Sequence, residues 1–351
     1  MNESLPLSSM TLADLQALLL QLGEPAFRAK QVFGWLARGV RPAGMTNLPK
    51  ALREKLEELP YGGAEIFDRR VSEKDGTVKY LFKLEDESLV EGVLMRYRYG
   101  NTLCISTQVG CAMGCVFCAS TLGGCERNLH AGEMLSFLSC VEQDVPPQPG
   151  HVRSITNVVL MGSGEPLDNY DNVLRFLALV TSPDGTGISP RNISLSTCGI
   201  VPKLYAFMQE APHVTLSVSL HAPNDEIRNQ LMPINHRYPV GELINAAKAY
   251  ADTTGRRVIF EYALIQNVND SEQNAAELAA KLRGVNSHVN LIPLNSVSER
   301  DLQGTTRKEA ERFLGWLQER HVSSTIRREM GADIEGACGQ LRRRVLSDLE
   351  S

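Results

Sequence analysis

Residues 102–119 read TLCISTQVGCAMGCVFCA. Leu103–Thr107 is a short apolar run of strand character, and it opens directly onto Cys111, Cys115 and Cys118 in the spacing C-x3-C-x2-C. Three thiolates this close in sequence can converge on one inorganic centre, because an iron–sulfur cluster is normally held by cysteine sulfurs. A closed site uses four protein ligands, whereas three leave one metal position open to a substrate. No fourth cysteine follows at ligand spacing: Cys125 lies seven residues on, and Cys140 falls in a stretch of helical pattern. A zinc knuckle, a ferredoxin-like site or cysteines of an ordinary core are the alternatives that the triplet leaves open.

Strands and helices alternate beyond this loop. Strands are expected at Asn157–Met161, Asn192–Ser196, Val214–Leu220, Val258–Leu264, Val289–Ile292 and Ser323–Ile326, with helices between them such as Asp171–Val180, Gly241–Asp252, Gln273–Leu282 and Lys308–Arg320. Alternating βα units imply a parallel sheet with helices outside, here a partial (β/α)6 barrel of the α/β class. Functional residues of such folds sit at the C-terminal ends of strands, where the cysteine loop is placed. Gly162-Ser163-Gly164-Glu165-Pro166 follows one strand; its glycines let backbone approach a ligand, and Glu165 is suited to accept a bond from an ammonium group. Ser196, then Ser219, Leu220 and His221, and then Asn295 close later strands, and their recurrence argues for a shared ligand, although each singly fits a cap or turn.

Upstream, residues 10–60 read as helices. Thr11 and Asp14 form a capping signal ahead of Leu12, Leu15, Leu18, Leu19 and Leu22, Pro25 is placed to open a second helix, and Pro49 a third that ends before Pro60. Arg28, Lys30, Arg38 and Arg41 lie along this unit. Ala64–Val71, Thr77–Leu84 and Leu89–Tyr97 read as a small antiparallel sheet that feeds into Leu103–Ser106. The expected organisation is a helical domain at 1–60, a β extension at 61–97, a barrel at 98–328 and a tail at 329–351.

The 351 residues are 43% hydrophobic and 22% charged, enough for a large core. Net charge of −5 and a pI near 5.9 do not advertise a nucleic-acid binder, but the placement of basic residues matters more than the total. No membrane span or signal segment is evident, and the expectation is a cytoplasmic protein with reduced thiols.

The C-x3-C-x2-C loop with Phe117 in its last gap, and the G-x-G-E-P element after the second strand, resemble the radical S-adenosylmethionine (SAM) superfamily. With Cys104 seven residues before the cluster, M-x-x-G-E-P-L-D-N-Y, L-M-P-I-N, V-N-L-I-P and G-x-D-I-x-x-A-C-G-Q-L around Cys338, the chain is similar to RlmN-type adenine-C2 methyltransferases of the RlmN/Cfr family from about Leu12 to Arg343. The resemblance implies a radical SAM barrel, one [4Fe–4S] cluster on Cys111, Cys115 and Cys118, and SAM held by Gly164, Glu165, Ser196, Ser219, Leu220, His221 and Asn295. It also implies that Cys338 is methylated and carries the group to C2 of an adenine, that Glu91 accepts the C2 proton, and that Cys104 releases product by a disulfide with Cys338. The implied substrates are 23S rRNA and, in tRNA, the adenosine 3′ of the anticodon. A flavodoxin-like electron donor and a monomeric enzyme are implied with them. Read from its neighbours alone, Glu91 in Leu89-Val90-Glu91-Gly92-Val93 is an exposed strand position. Arg96, Arg98, Arg327, Arg328 and Arg342-Arg343-Arg344 suit phosphate contacts. Competing readings are a C8-specific methyltransferase and a non-catalytic iron–sulfur RNA-binding module. Cys125, Cys140 and Cys198 receive no role.

Overall fold

The computed structural model describes residues 5–295, 301–334, 341, 342 and 345. Cys338, Arg343 and Arg344 lie outside the described residues.

The chain opens with α1 (Leu12–Gln21), α2 (Arg28–Leu36) and α3 (Lys50–Glu57). The Thr11–Asp14 capping box forms as the sequence indicates, each residue satisfying an otherwise orphan N–H of the other. The second helix starts at Arg28 and not at Pro25: Arg28 and Ala29 donate back to the carbonyls of Pro25 and Ala26, a tight turn that leaves Phe27 exposed before helix geometry begins. Leu15, Leu19, Val32, Phe33, Leu52 and Leu56 of these helices belong to the same continuous apolar core as the large sheet.

A meander of β1 (Ala64–Val71), β2 (Val78–Leu84), β3 (Leu89–Tyr97) and β4 (Gly100–Ile105) follows. β5 (Gln108–Gly110) and β6 (Cys125–Asn128) form a separate hairpin that brackets the cysteine loop, and α4 (Ala131–Asp144) runs back over the sheet. The chain then alternates through β7 (Asn157–Leu160), α5 (Tyr170–Thr181), β8 (Ile193–Thr197), α6 (Val201–Glu210) and β9 (Thr215–Ser219). It continues through α7 (Asp225–Leu231), α8 (Val240–Thr254), β10 (Val258–Leu264), α9 (Glu272–Lys281), β11 (Ser287–Pro293), α10 (Arg307–Glu319) and β12 (Ser324–Ile326).

These strands make one ten-stranded sheet in the order β1-β2-β3-β4-β7-β8-β9-β10-β11-β12. β4 is the pivot. It pairs antiparallel with β3 and parallel with β7, so the extension and the barrel are one surface. Every junction from β4 to β12 is parallel, giving six βα units closed by a last strand, an open barrel. The strand ends therefore face one way, which is what concentrates function there. No helix of the described residues is long and apolar enough to cross a membrane.

Candidate active site

The cysteine loop has little regular structure of its own and is fastened by backbone bonds. Cys111 N–H donates to Gly124 O at 2.7 Å, Val116 N–H to Leu231 O at 3.0 Å, and the Thr121 hydroxyl to the carbonyls of Cys115 and Cys118. Met113, Val116 and Phe117 pack onto Leu231, Met232 and Ile265. Among the described residues no three His, Cys, Asp or Glu side chains converge tightly enough for a single ion. Instead Cys111, Cys115 and Cys118 line a cavity of about 220 Å³ together with Gly164, Glu165, Ser196, Cys198, Ser219 and His221. Burial pushes the Cys111 thiol up to about 12, its neighbour Cys118 adding to the shift, and pushes Cys115 up as well. A bound metal reverses that balance, because coordination deprotonates a thiol outright. Three thiols that share a cavity without converging on one point suit a polynuclear centre better than a single ion.

The glycines of residues 162–166 line this cavity and also have a packing reason. A Cβ on Gly162 would stand 2.6 Å from Ser106 Oγ and 2.8 Å from the Ile105 backbone, and one on Gly164, at φ +103°, would stand 2.7–2.8 Å from Gln108. They let the turn after β7 lie on the turn after β4, where Glu165 N–H donates to Gln108 Oε1 at 2.8 Å. Glu165 is buried with both oxygens engaged, Oε1 by Leu167 N–H and Oε2 by Cys198 N–H. Burial raises its carboxyl above the ordinary range and these bonds oppose the rise. It clips two strand ends together while facing the cavity.

His221 sits at φ +56° and is pushed down to about 3, first by burial and then by Arg228, so the ring is neutral. Its Nδ1 accepts from Ala263 N–H at 2.9 Å, which assigns the ring proton to Nε2 as a donor. Phe117 meets the ring edge-on at 4.9 Å. The Ser196 and Ser219 hydroxyls are 3.3 Å apart. Leu220 and Asn295 do not join this cavity. Leu220 is fully buried in the core, and Asn295 lines the neighbouring one.

That neighbour, about 500 Å³, is lined by Val93, Met95 and Cys104 from the sheet, by Met161 just after β7, and by residues 292–295 and 326–330 from the ends of β11 and β12 and the loops that follow them. Met161, Ile292 and Arg327 line both cavities. The register places Val93 opposite Cys104 and Leu81 opposite Glu91, so Glu91, Val93 and Cys104 share one face. Sheet geometry sets Glu91 and Cys104 on a diagonal of roughly 7–8 Å.

Glu91 is 5% exposed, contrary to the exposed position its neighbours imply. Lys79, completely buried on β2, pairs with it at 3.4 Å, and Arg342 N–H donates to its Oε1 at 2.6 Å. The tail therefore covers this face. Leu341 packs on Leu81 and Leu89, Arg342 pairs with Glu126, Asp333 accepts from Ser72 Oγ at 2.6 Å, and Gly331 N–H donates to Asp75. These contacts are made by residues that precede and follow 335–340 in sequence; Cys338 itself lies outside the described residues.

Three residues that carry the site escaped sequence reading. Cys198 lines the first cavity and holds Glu165 through its N–H. Arg228 is fully buried beneath the same strand ends. Lys79 stands in V-K-Y-L-F-K-L, where alternation gives Lys79 and Lys83 a face that reads as solvated. Of the basic residues in the helical unit, Arg28, Lys30 and Arg41 pair with Glu24, Asp184 and Glu85, and Arg38 lies over Trp35 at 4.1 Å. Cys125 lies on β6, Cys140 on α4 away from both cavities.

Comparison with known proteins agrees with this geometry. Residues 105–279 match the radical SAM superfamily, and residues 5–61 match the ribosomal RNA large subunit methyltransferase N-terminal domain. A probable dual-specificity RNA methyltransferase RlmN of Thermoanaerobacter sp. (strain X514) is 48% identical over 97% of this chain and 99% of its own. Another of that description, from Alkaliphilus metalliredigens (strain QYMF), is 48% identical over 99% of this chain and 98% of its own. Among solved structures, a radical SAM methyltransferase from Sphaerobacter thermophilus superposes with a TM-score of 0.90 at 42% identity, covering 96% of this chain and 99% of that one.

Proposed function

This chain belongs to the RlmN-type RNA methyltransferases of the radical SAM superfamily, and from that premise we propose that it methylates C2 of one adenosine in 23S rRNA and of the adenosine 3′ of the anticodon in tRNA. Its cofactors are a [4Fe–4S] cluster and SAM. The observation that carries the proposal is the contact of two cavities through Met161, Ile292 and Arg327, one lined by three thiols and the other by Cys104.

Cys111, Cys115 and Cys118 would hold the cluster, and Gly164, Glu165, Ser196, Ser219 and His221 would hold SAM. When bound, this pair supplies a carbon-centred radical, the reactivity required at an electron-poor ring carbon with no lone pair to attack a methyl donor. The protein's own residues do the rest. Cys338 would carry the methyl group as S-methylcysteine, would give up one hydrogen atom of that methyl to the carbon-centred radical, and would become bonded through the carbon to adenine C2, the adduct's unpaired electron passing back to the iron–sulfur centre as the C2 proton leaves. Glu91 takes the C2 proton, and its carboxylate is paired with the Lys79 ammonium. The Cys104 thiolate then attacks Cys338 sulfur, forming the S–S bond and leaving the electrons of the broken C–S bond on the new methyl carbon, which picks up a proton. His221 Nε2–H and the paired serine hydroxyls orient polar groups in the cavity, and the apolar wall of Phe117, Met113 and Met232 keeps water out.

Residues 1–60 act in this reading as an RNA-contacting domain and residues 329–351 as the tail that bears Cys338, with the β extension at 61–97 and the barrel at 98–328 between them. The enzyme works as a cytoplasmic monomer with an external flavodoxin-like electron donor. The test is anaerobic incubation of cluster-loaded protein with SAM, a reductant and a 23S rRNA fragment, followed by nucleoside mass spectrometry. 2-Methyladenosine is the expected product; 8-methyladenosine would move the reaction to another ring position, and methylation by Cys338→Ala would defeat the covalent route.

A further inference from the structure

Arg228 is the largest completely buried side chain described in the molecule. Its guanidinium donates to Leu220 O at 3.0 Å, Ser219 O at 3.1 Å, Cys198 O at 2.6 Å and Asn235 Oδ1 at 3.0 Å. All four acceptors are neutral, and among the described residues no carboxylate forms an ion pair with it. A buried cation in neutral surroundings costs several kcal/mol unless a negative charge lies near. Cys198 and Ser219, whose carbonyls it holds, line the same cavity as Cys111, Cys115 and Cys118, and Asn235 links it to Asp225. Asp225 is committed elsewhere, accepting from Asn235 Nδ2 and Val240 N–H.

We propose that Arg228 is a positioning residue that serves as the fixed counter-charge of the cysteine-bound centre, favouring its one-electron reduction. The inference rests on the reading of Cys111, Cys115 and Cys118 as cluster ligands. Three thiolates bring negative charge into a buried cavity, and an electron from an external donor such as titanium(III) citrate adds another. A guanidinium that cannot lose its proton and cannot reach water stabilises the more negative state. The carbonyls it grips belong to Cys198, Ser219 and Leu220 at two adjacent strand ends, so the same side chain fixes the charge in place.

The experiment is an anaerobic redox titration of the full-length, cluster-loaded protein without SAM, followed by visible absorbance and electron paramagnetic resonance. Arg228→Gln is expected to lower the ratio of reduced to oxidised centre at a fixed ambient potential on the order of tenfold, a shift of about 59 mV for one electron. Arg228→Lys keeps the charge and should move that ratio by no more than about threefold. Asp225→Asn removes an opposing charge and should shift it the other way, which keeps the test open if Arg228→Gln fails to load. Equal potentials in Arg228→Gln and wild type would overturn the proposal. So would an equal loss in Arg228→Lys, which would assign the effect to hydrogen bonding, or an unchanged potential in Asp225→Asn when Arg228→Gln does not load. Wild-type protein that binds no iron and sulfide would instead defeat the cluster reading itself.

Discussion

The two cavities are built in opposite ways. The walls of the thiol-lined cavity come from successive strands met in chain order: the loop after β4, the turn after β7, the ends of β8 and β9, then β10, with Ile292 of β11 and Arg327 after β12 shared with its neighbour. The Cys104 cavity and the face beside it join residues far apart, with Lys79 and Glu91 from the extension, residues 326–330 from the end of β12 and the loop after it, and Arg342 from the tail. The first is local chemistry presented by a repeating fold; the second is an interface between one end of the chain and the middle. Damage to each should look different.

The sharpest contrast comes from the cysteines. Alanine at Cys111, Cys115 or Cys118 should abolish methylation, at least ~1000-fold as for loss of one member of a catalytic unit, while the protein stays folded. Iron content together with circular dichroism checks this; a folded variant with full iron would break the assignment. Cys104→Ala should instead retain its cluster and stall with RNA covalently attached, seen as a shifted band on denaturing gels. Free RNA and normal turnover would remove Cys104 from the releasing role.

Lys79→Met breaks a buried ion pair and leaves Glu91 buried among fewer charges, a change of about 3–5 kcal/mol in stability. Chemical denaturation measures it, and a loss below ~1 kcal/mol would mean that the face tolerates an isolated carboxylate. The smallest effect is at the tail clamp. Burial alone would raise the Asp75 carboxyl, but donation from Gly331 and Thr77 N–H holds it down at about 2, against an ordinary 3.8. Asp333 is also held low, chiefly by Ser72. A depressed carboxyl contributes stability above its unfolded value that is lost as pH falls through the folded one. Wild type should therefore lose melting temperature more steeply than Asp75→Asn between about pH 3.8 and 2; parallel curves would show that the clamp carries no linkage.

The sequence by itself determined the βα alternation, the capped first helix and the cysteine loop after a strand, because these depend on residues within a dozen positions of one another. It also marked L-D-N-Y, L-M-P-I-N and V-N-L-I-P without their mechanical reasons. Asn169 bonds the carbonyls of Thr107 and Leu129, Asn235 holds Arg228, and Asn290 holds Glu261. Only the tertiary structure decided that Glu91 is buried, that Lys79 faces it, and that Arg228 lies under two strand ends. Lys79 and Arg228 read as ordinary solvated charges in sequence, since periodicity reports which face a residue takes. What later covers that face is decided by chain arriving from far away, here Leu341 and Arg342, some 250 residues beyond Glu91.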